Sequence, residues 1–556
     1  MGSTVSNHPS PIRRLWSLLK TERRELWIVV VFAIGVGVLN LAIPIAVMAV
    51  VNTTALSTLT QQLIVLCLGL LVALGMAACL RLLKNIVVEF IQRRIFVRVV
   101  DDLSFRLPRI DVAALDRMHA PELVNRFFDV LTVQKSSAVL LLDGITLILQ
   151  AIIGLILLGS YHQWLLGFDL FLILGLILLT ILGYGGTATA IEESKAKYLV
   201  AGWLEEIARH PIAFKLGGGA EFSRHWADQL TEKYLHCRES HFFVLMRQFG
   251  FALIMQLIAS VMLLGVGGYL VIQGQLSLGQ LVAAELVVSL MAGTFAKIGK
   301  QLESYYDLLA AIEKLGHLLD VPLENTGNET YRPGQKGAAV QFKNLSFQYD
   351  MGNRHVFQDF EETIQPGERV ALIGPNGSGK TTLAEMLFGL RQPQRGHIEV
   401  DGMDLRDLNL NDYRKKVSFV KGIEIFGGTV FDNLCMGQES LTIEQARQAL
   451  QSVALLDDIM RLPQGLQTYL ATGGRPLSLG QAERFMLARA IITRPSLLIL
   501  DESLDDMDQT VRDKVIPILF QEHAPWTLIV VTHSPDVARL CQRTIRLGIP
   551  STPVTA

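Results

Sequence analysis

Residues 374–382 read Gly374-Pro375-Asn376-Gly377-Ser378-Gly379-Lys380-Thr381-Thr382, with an apolar run at 369–373 before them and the helix-forming Leu383-Ala384-Glu385-Met386-Leu387 after them. Gly374, Gly379, Lys380 and Thr381 satisfy the spacing GxxxxGK[ST], and the flanks place the glycines in a strand-to-helix turn. Such a turn wraps backbone N–H groups around a polyphosphate, whose charge meets the helix N-terminus and the Lys380 ammonium. Asn376, Gly377, Ser378 and Thr382 complete the predicted nucleotide-binding loop, and the Thr381 hydroxyl is the first candidate ligand for Mg²⁺.

Downstream, LLILDES at 497–503 reads as a buried strand ending in two acids. Phosphoryl transfer needs a carboxylate for the metal and a base to orient the attacking water. Asp501 is assigned to Mg²⁺ and Glu502 to the water. Another apolar strand, 527–531, ends at Thr532-His533, which places an imidazole where a γ-phosphate would lie. Between the phosphate loop and LLILDES, LSLGQ occupies 477–481.

That order of motifs resembles the ATP-binding cassette (ABC) superfamily. LSLGQ is similar to its LSGGQ signature, matched at Ser478, Gly480 and Gln481, and Ala488-Arg489-Ala490 continues the helix. The resemblance implies ATP and Mg²⁺ as cofactors and an ATP site shared by two chains, the signature of one closing over the phosphate loop of the other. Tyr349, in Phe347-Gln348-Tyr349, matches the aromatic that stacks on adenine. Departures from the pattern concern coupling. Leu479 replaces a signature glycine, Thr472 stands where many exporters have Glu, and Asp505-Asp506-Met507-Asp508 stands for SALD, keeping only Asp508. Alignment on Phe426-Gly427-Gly428-Thr429 puts Lys421 where the family has Gln. A cation there repels the metal unless it points away.

The first half is of different composition. The chain of 556 residues is 50% hydrophobic and 18% charged, too apolar and too long for one soluble domain. Six apolar stretches, 27–51, 63–83, 138–159, 164–187, 249–272 and 278–296, each approach the roughly 20 residues that span about 30 Å of hydrocarbon. The segments 52–62, 160–163 and 273–277 contain no Lys, Arg, Asp or Glu, whereas 84–135 and 188–248 carry many Lys and Arg. The positive-inside tendency puts the charged loops, both termini and the cassette in the cytoplasm, with the chain in the inner (cytoplasmic) membrane. Residues 12–25 mix Arg13, Arg14, Lys20, Arg23 and Arg24 with Leu15, Trp16, Leu18 and Leu19, which predicts an interfacial helix.

The expected fold class is multidomain: an all-α, six-helix transmembrane domain followed by an α/β phosphate-loop cassette with a helical signature subdomain. The boundaries predicted are 1–26 for the interfacial helix, 27–320 for the transmembrane domain, 321–337 for the linker and 338–556 for the nucleotide-binding domain. This layout resembles a bacterial exporter-type half-transporter, which implies a second copy of the chain or a paralogous half as partner. The resemblance also places coupling segments near 121–130 and 205–216. With the first span beginning near residue 27, no N-terminal peptidase domain is expected.

Glu285 lies inside the last apolar stretch, where a carboxylate faces a cavity or a polar partner. Its presence favours a cationic or hydrogen-bonding cargo. Five cysteines without CxxC spacing predict reduced structural thiols, and a net charge of −2 gives no sign of nucleic-acid binding. Two readings stand. One is an ATP-driven exporter of an amphipathic compound, lipid or peptide; within it stands secretion of a peptide or protein through a periplasmic adaptor. The other is a regulatory, weakly hydrolysing half of a heterodimer.

Overall fold

The computed structural model describes residues 10–54, 60–116, 125–334, 336–349, 355–438, 440–505 and 507–548. The chain divides into two units, one of Met1–Arg109 and Met118–Val321 and one of Ile110–Arg117 and Pro322–Ala556.

The first unit is helical among its described residues. Its long helices follow from runs of Leu, Ile, Val and Ala, the first of them interrupted at Leu41 shortly before Pro44, and their apolar outer faces carry side chains such as Leu170, Leu174 and Ile181, each more than half exposed. In lipid such exposure costs nothing, so association depends on close packing at small residues. A methyl group added at Gly175 would lie 2.2 Å from Met255 Cε, and one at Gly267 would lie 2.5 Å from Leu281 Cδ1. Those crossings join Leu158, Leu165, Phe168, Leu172 and Leu179 to Ala252, Met255, Ala259 and Leu263 and to Ala284, Val287 and Val288.

Among the described residues five helices are long and apolar enough to cross a membrane: Arg23–Asn52, Gln61–Arg109, Arg126–Tyr161, Gln163–Arg209 and Gly219–Ile272. The sixth expected stretch opens the helix Leu278–Leu319, with Leu278–Ser289 as its apolar part among the described residues. Glu285 sits in that part. It is half-buried, and Oε2 has no hydrogen-bond partner among the described residues. Lys84, a charge that sequence reading left at a span end, is buried and donates to Leu142 O at 2.5 Å and Thr146 Oγ1 at 2.6 Å. The helix expected before the first span forms over Pro11–Thr21, where Leu15 and Leu18 pack on Leu308, Ala311 and Ile312 while Trp16 is exposed.

Of the two expected coupling stretches, residues 121–124 lie outside the described residues, and both stretches fall within the first unit. Ile110–Arg117, by contrast, belongs to the second unit. An antiparallel bridge joins Ile110 to Leu323, and Asp111 N donates to Pro322 O at 3.0 Å.

The second unit is α/β. Its strands are β1 (Val340–Gln348), β2 (His355–Ile364), β3 (Arg369–Ile373), β4 (Arg395–Val400), β5 (Met403–Asp404), β6 (Val417–Lys421), β7 (Gly428–Thr429), β8 (Tyr469–Leu470), β9 (Leu497–Asp501), β10 (Thr527–Val531) and β11 (Arg543–Arg546). An antiparallel sheet has the order β2-β1-β4-β5, and a parallel sheet the order β11-β3-β10-β9-β6. The three central parallel strands, β3, β10 and β9, are nearly continuous apolar runs because both faces are covered. Leu498, Leu500, Leu528 and Val530 face Phe485 and Leu487 of the signature helix; Leu497, Ile499, Ile529 and Val531 face Leu383 and Met386 of the helix after the phosphate loop.

Candidate functional site

Open parallel sheets bind ligands beyond the carboxyl ends of their strands. The order β3-β10-β9-β6 sets four such ends in a row, and with them the phosphate loop, Thr532-His533, Asp501-Glu502 and Lys421. Cross-strand register aligns Val531 with both Leu372 and Asp501, and Asp501 with Lys421.

The loop leaves β3 at Gly374 and enters the helix Lys380–Leu387 through Gly379, whose φ is +92°. A methyl group at Gly379 would lie 2.4 Å from Val356 Cγ1 and 2.6 Å from Phe357 Cζ. At Gly374 it would lie 2.3 Å from Leu547 O. Gly379→Ala therefore combines a left-handed residue, at a cost of roughly 1–2 kcal/mol, with a clash against Val356 and Phe357 of β2. The expected result is a lower melting temperature and about tenfold or greater loss of nucleotide affinity, read by thermal shift and by titration with a fluorescent ATP analogue.

Lys380 is buried and its ammonium folds over the loop, donating to Gly374 O at 3.0 Å and Pro375 O at 3.3 Å. Ser378 Oγ is buried without a partner among the described residues, while Asn376 and Gly377 are exposed at the loop's tip. An enclosed orphan hydroxyl beside a curled backbone and a cation suits an anionic guest. Thr381 Oγ1 donates to Asp501 Oδ1 at 3.3 Å, so the two oxygen groups assigned to Mg²⁺ converge. Hard oxygen donors of this kind fit Mg²⁺. When bound there, the metal would neutralise charge on the β- and γ-phosphate oxygens.

Adjacent acids are put to different uses. Asp501 ends β9 buried, and burial raises its carboxyl above the ordinary range. Glu502 turns into the left-handed region, φ +55°, which lifts its side chain clear of the sheet to 53% exposure. A non-glycine residue held there is strained, as happens at functional sites. Glu502 Oε1 lies 3.0 Å from His533 Nε2, so the carboxylate expected to orient water and the imidazole form one pair. Asp505 fixes the imidazole's backbone, accepting from His533 N at 2.7 Å and from the Thr532 hydroxyl.

Tyr349 reaches the same helix, its hydroxyl 2.8 Å from Thr382 Oγ1 and its ring edge-on to Phe347. The Arg391 guanidinium lies 4.9 Å from its ring centroid. Beside it is a cavity of about 460 Å³ lined by Asp111, Asp116, Tyr349, Arg391 and Gln394, among others; no residue of 374–382 lines it, so it is not the phosphate site.

Signature residues form a separate feature. Ser478 caps the helix Leu479–Ile492 through a capping box with Gln481, Ser478 N donating to Gln481 Oε1 at 2.9 Å. Ser478, Leu479 and Gly480 are all exposed. Leu479 is 69% exposed, so its bulk stands on the surface and disturbs no packing. Asp508 does not join the strand-end site; it caps the helix Gln509–Leu519, accepting from Thr510 N at 3.2 Å. Asp506 lies outside the described residues. Sequence reading missed Glu385, Arg391 and the double acceptor Asp505. A carboxylate within the apolar run Leu383-Ala384-Glu385-Met386-Leu387 was the available signal for the first.

A phosphate loop, paired acids and a histidine on adjoining parallel strands, in one chain with an apolar helical unit, define a phosphate-loop ATPase domain joined to a membrane domain. Comparison with known proteins is specific. Residues 26–295 match the model of the ABC transporter transmembrane region and residues 357–505 that of the ABC transporter. The chain belongs to the ABC transporter family. Among its relatives is the beta-(1→2)glucan export ATP-binding/permease protein NdvA of Rhodopseudomonas palustris, 32% identical over 49% of this chain and 45% of that protein. At 30% identity and above, the chain spans about half the length of the curated relatives it matches. The ATP-dependent lipid A-core flippase of Methylobacillus flagellatus is 26% identical over 83% of this chain and 79% of the relative. A bacterial Atm1-family ABC exporter with ATP bound shares the fold, with a TM-score of 0.81 at 19% identity over 95% of this chain and 93% of that one.

Proposed function

We propose that this chain is one half of a dimeric exporter that hydrolyses ATP to move an amphipathic cargo, lipid or saccharide-bearing compounds foremost, across or between the leaflets of the cytoplasmic membrane. The observation that carries the reading is the Glu502–His533 pair beside the converging Thr381 and Asp501. A retained base in contact with its histidine favours hydrolysis over a purely regulatory half. The cargo class rests on the printed names of relatives, a glucan exporter and a lipid A-core flippase. Thr381 and Asp501 would hold Mg²⁺, Tyr349 would stack the base, and Ser478, Gly480 and Gln481 would close over the ATP of the partner chain. ATP selects the closed state because it binds both cassettes only when they meet.

ATP turnover of the purified chain in lipid nanodiscs, with lipids, glucans, peptides and amphipathic cations added in turn, tests this. Turnover raised by one class supports the exporter and nominates its cargo. A folded, nucleotide-binding protein without turnover sinks the homodimer and leaves the regulatory half.

Glu285, which lies in an apolar helix and whose Oε2 has no hydrogen-bond partner among the described residues, is assigned to the cargo pathway. Glu285→Gln is expected to abolish or shift stimulation by cationic compounds while unstimulated turnover stays within about twofold. Identical stimulation curves for the variant and the parent would remove Glu285 from the pathway.

A further inference from the structure

Lys421 ends β6 in register with Asp501, one strand away from the carboxylate assigned to the metal. Left to itself, an ammonium there would compete with Mg²⁺ for Asp501. Its side chain turns to the neighbouring helix instead, where Nζ lies 2.6 Å from Glu385 Oε1. Glu385 is 6% exposed, and a carboxylate so buried calls for charged partners. It has two, for Arg391 Nε donates to Oε2 at 2.5 Å. The same guanidinium makes a bidentate pair with Asp116, Nη1 to Oδ2 at 2.6 Å and Nη2 to Oδ1 at 3.0 Å. Two acids and two bases thus alternate as Lys421, Glu385, Arg391 and Asp116.

We propose that Glu385 is a positioning residue that holds Lys421 off the metal site, and that the Asp116–Arg391 clasp keeps Glu385 available to do so. Each link has a physical reason. Without Asp116 the whole charge of Arg391 falls on Glu385 and weakens its hold on Lys421. Planar, two-point pairing makes the clasp directional as well as strong. Asp116 closes the one-turn helix Val112–Leu115, in the segment Ile110–Arg117 that joins the second unit from the other part of the sequence. That segment therefore sets the charge presented to the metal through three side chains.

This inference rests on the proposed Mg²⁺·ATP site, and its test separates the two. ATP affinity of the full-length chain in nanodiscs is measured with Mg²⁺ and with EDTA, and the ratio of the two is compared among variants. In the parent chain Mg²⁺ tightens binding; no tightening would sink the metal site itself. Given tightening, Glu385→Gln is expected to reduce the ratio about tenfold, and Glu385→Gln with Lys421→Gln to restore it. Asp116→Asn, at a 41% exposed side chain that tolerates replacement, is expected to reduce the ratio less, by about threefold. A merely structural role for Glu385 would lower the melting temperature without rescue by Lys421→Gln. An unchanged ratio in Glu385→Gln, failure of the rescue, or, should Glu385→Gln not fold, an unchanged ratio in Asp116→Asn would overturn the proposal.

Discussion

Glu502→Gln is expected to lower ATP turnover by about two to four orders of magnitude, the range for loss of a positioned acid–base group, while nucleotide binding persists. The change removes a proton acceptor and little else. Glutamine has the same size, and its amide oxygen can still accept from His533 Nε2, which lies 3.0 Å from Glu502 Oε1. Neither Thr381 nor Asp501 touches Glu502 by a hydrogen bond in the structure described, and Lys380 bonds to the loop carbonyls alone. Binding and hydrolysis therefore separate: titration with an ATP analogue should give an affinity within about twofold of the parent, beside a single-turnover rate near background. Turnover above a tenth of the parent's would move the role of base away from Glu502. An accompanying loss of binding would instead mean that the left-handed turn at residue 502 had collapsed.

How far these residues could be read from the chain alone depends on how local their chemistry is. The phosphate loop is contiguous, and its glycines are demanded by atoms of its own turn and of nearby strands, so residues 374–382 announce both structure and ligand. Asp501, Glu502 and His533 were legible because each follows an apolar run of strand length. What remained hidden was the order of the strands. β10 inserts between β3 and β9, and no local pattern dictates that crossover. Only this insertion brings His533 against Glu502.

Charge direction was the other hidden quantity. At Lys421 the sequence supplies a cation and a spacing, but the partner that turns it away, Glu385, lies 36 positions earlier on a helix. Asp116 pairs with Arg391 across 275 positions, and no periodicity links them. The same limit explains the membrane half. Hydropathy marks apolar stretches, yet the sixth of them runs without a break into the helix Leu278–Leu319, so composition does not mark where that span would end. At Leu479, composition flagged a bulky substitution; its consequence depends on exposure, and the side chain points outward.

That exposed edge leads to the second large effect. Lys380→Ala and Ser478→Arg chains, each expected to be without turnover alone, should regain it when mixed and reassembled. The reasoning is geometric. If the signature of one chain covers the phosphate loop of the other, a mixed pair has one site with both lesions and one with neither. Two-fold symmetry makes this the only arrangement of the two lesions in a mixed dimer. Ser478 is exposed at the start of the helix Leu479–Ile492 and spends its hydroxyl on the cap, so an arginine there blocks the approaching face without entering the core. Lys380, by contrast, is buried in the loop, where its loss leaves phosphate charge unmet. Recovery upon mixing, measured as phosphate release after the two detergent-solubilised variants are combined and reconstituted, would establish a site shared between identical chains. No recovery, with both variants folded and the mixed dimer isolated by two affinity tags, would mean that each site closes within one chain or against a different partner.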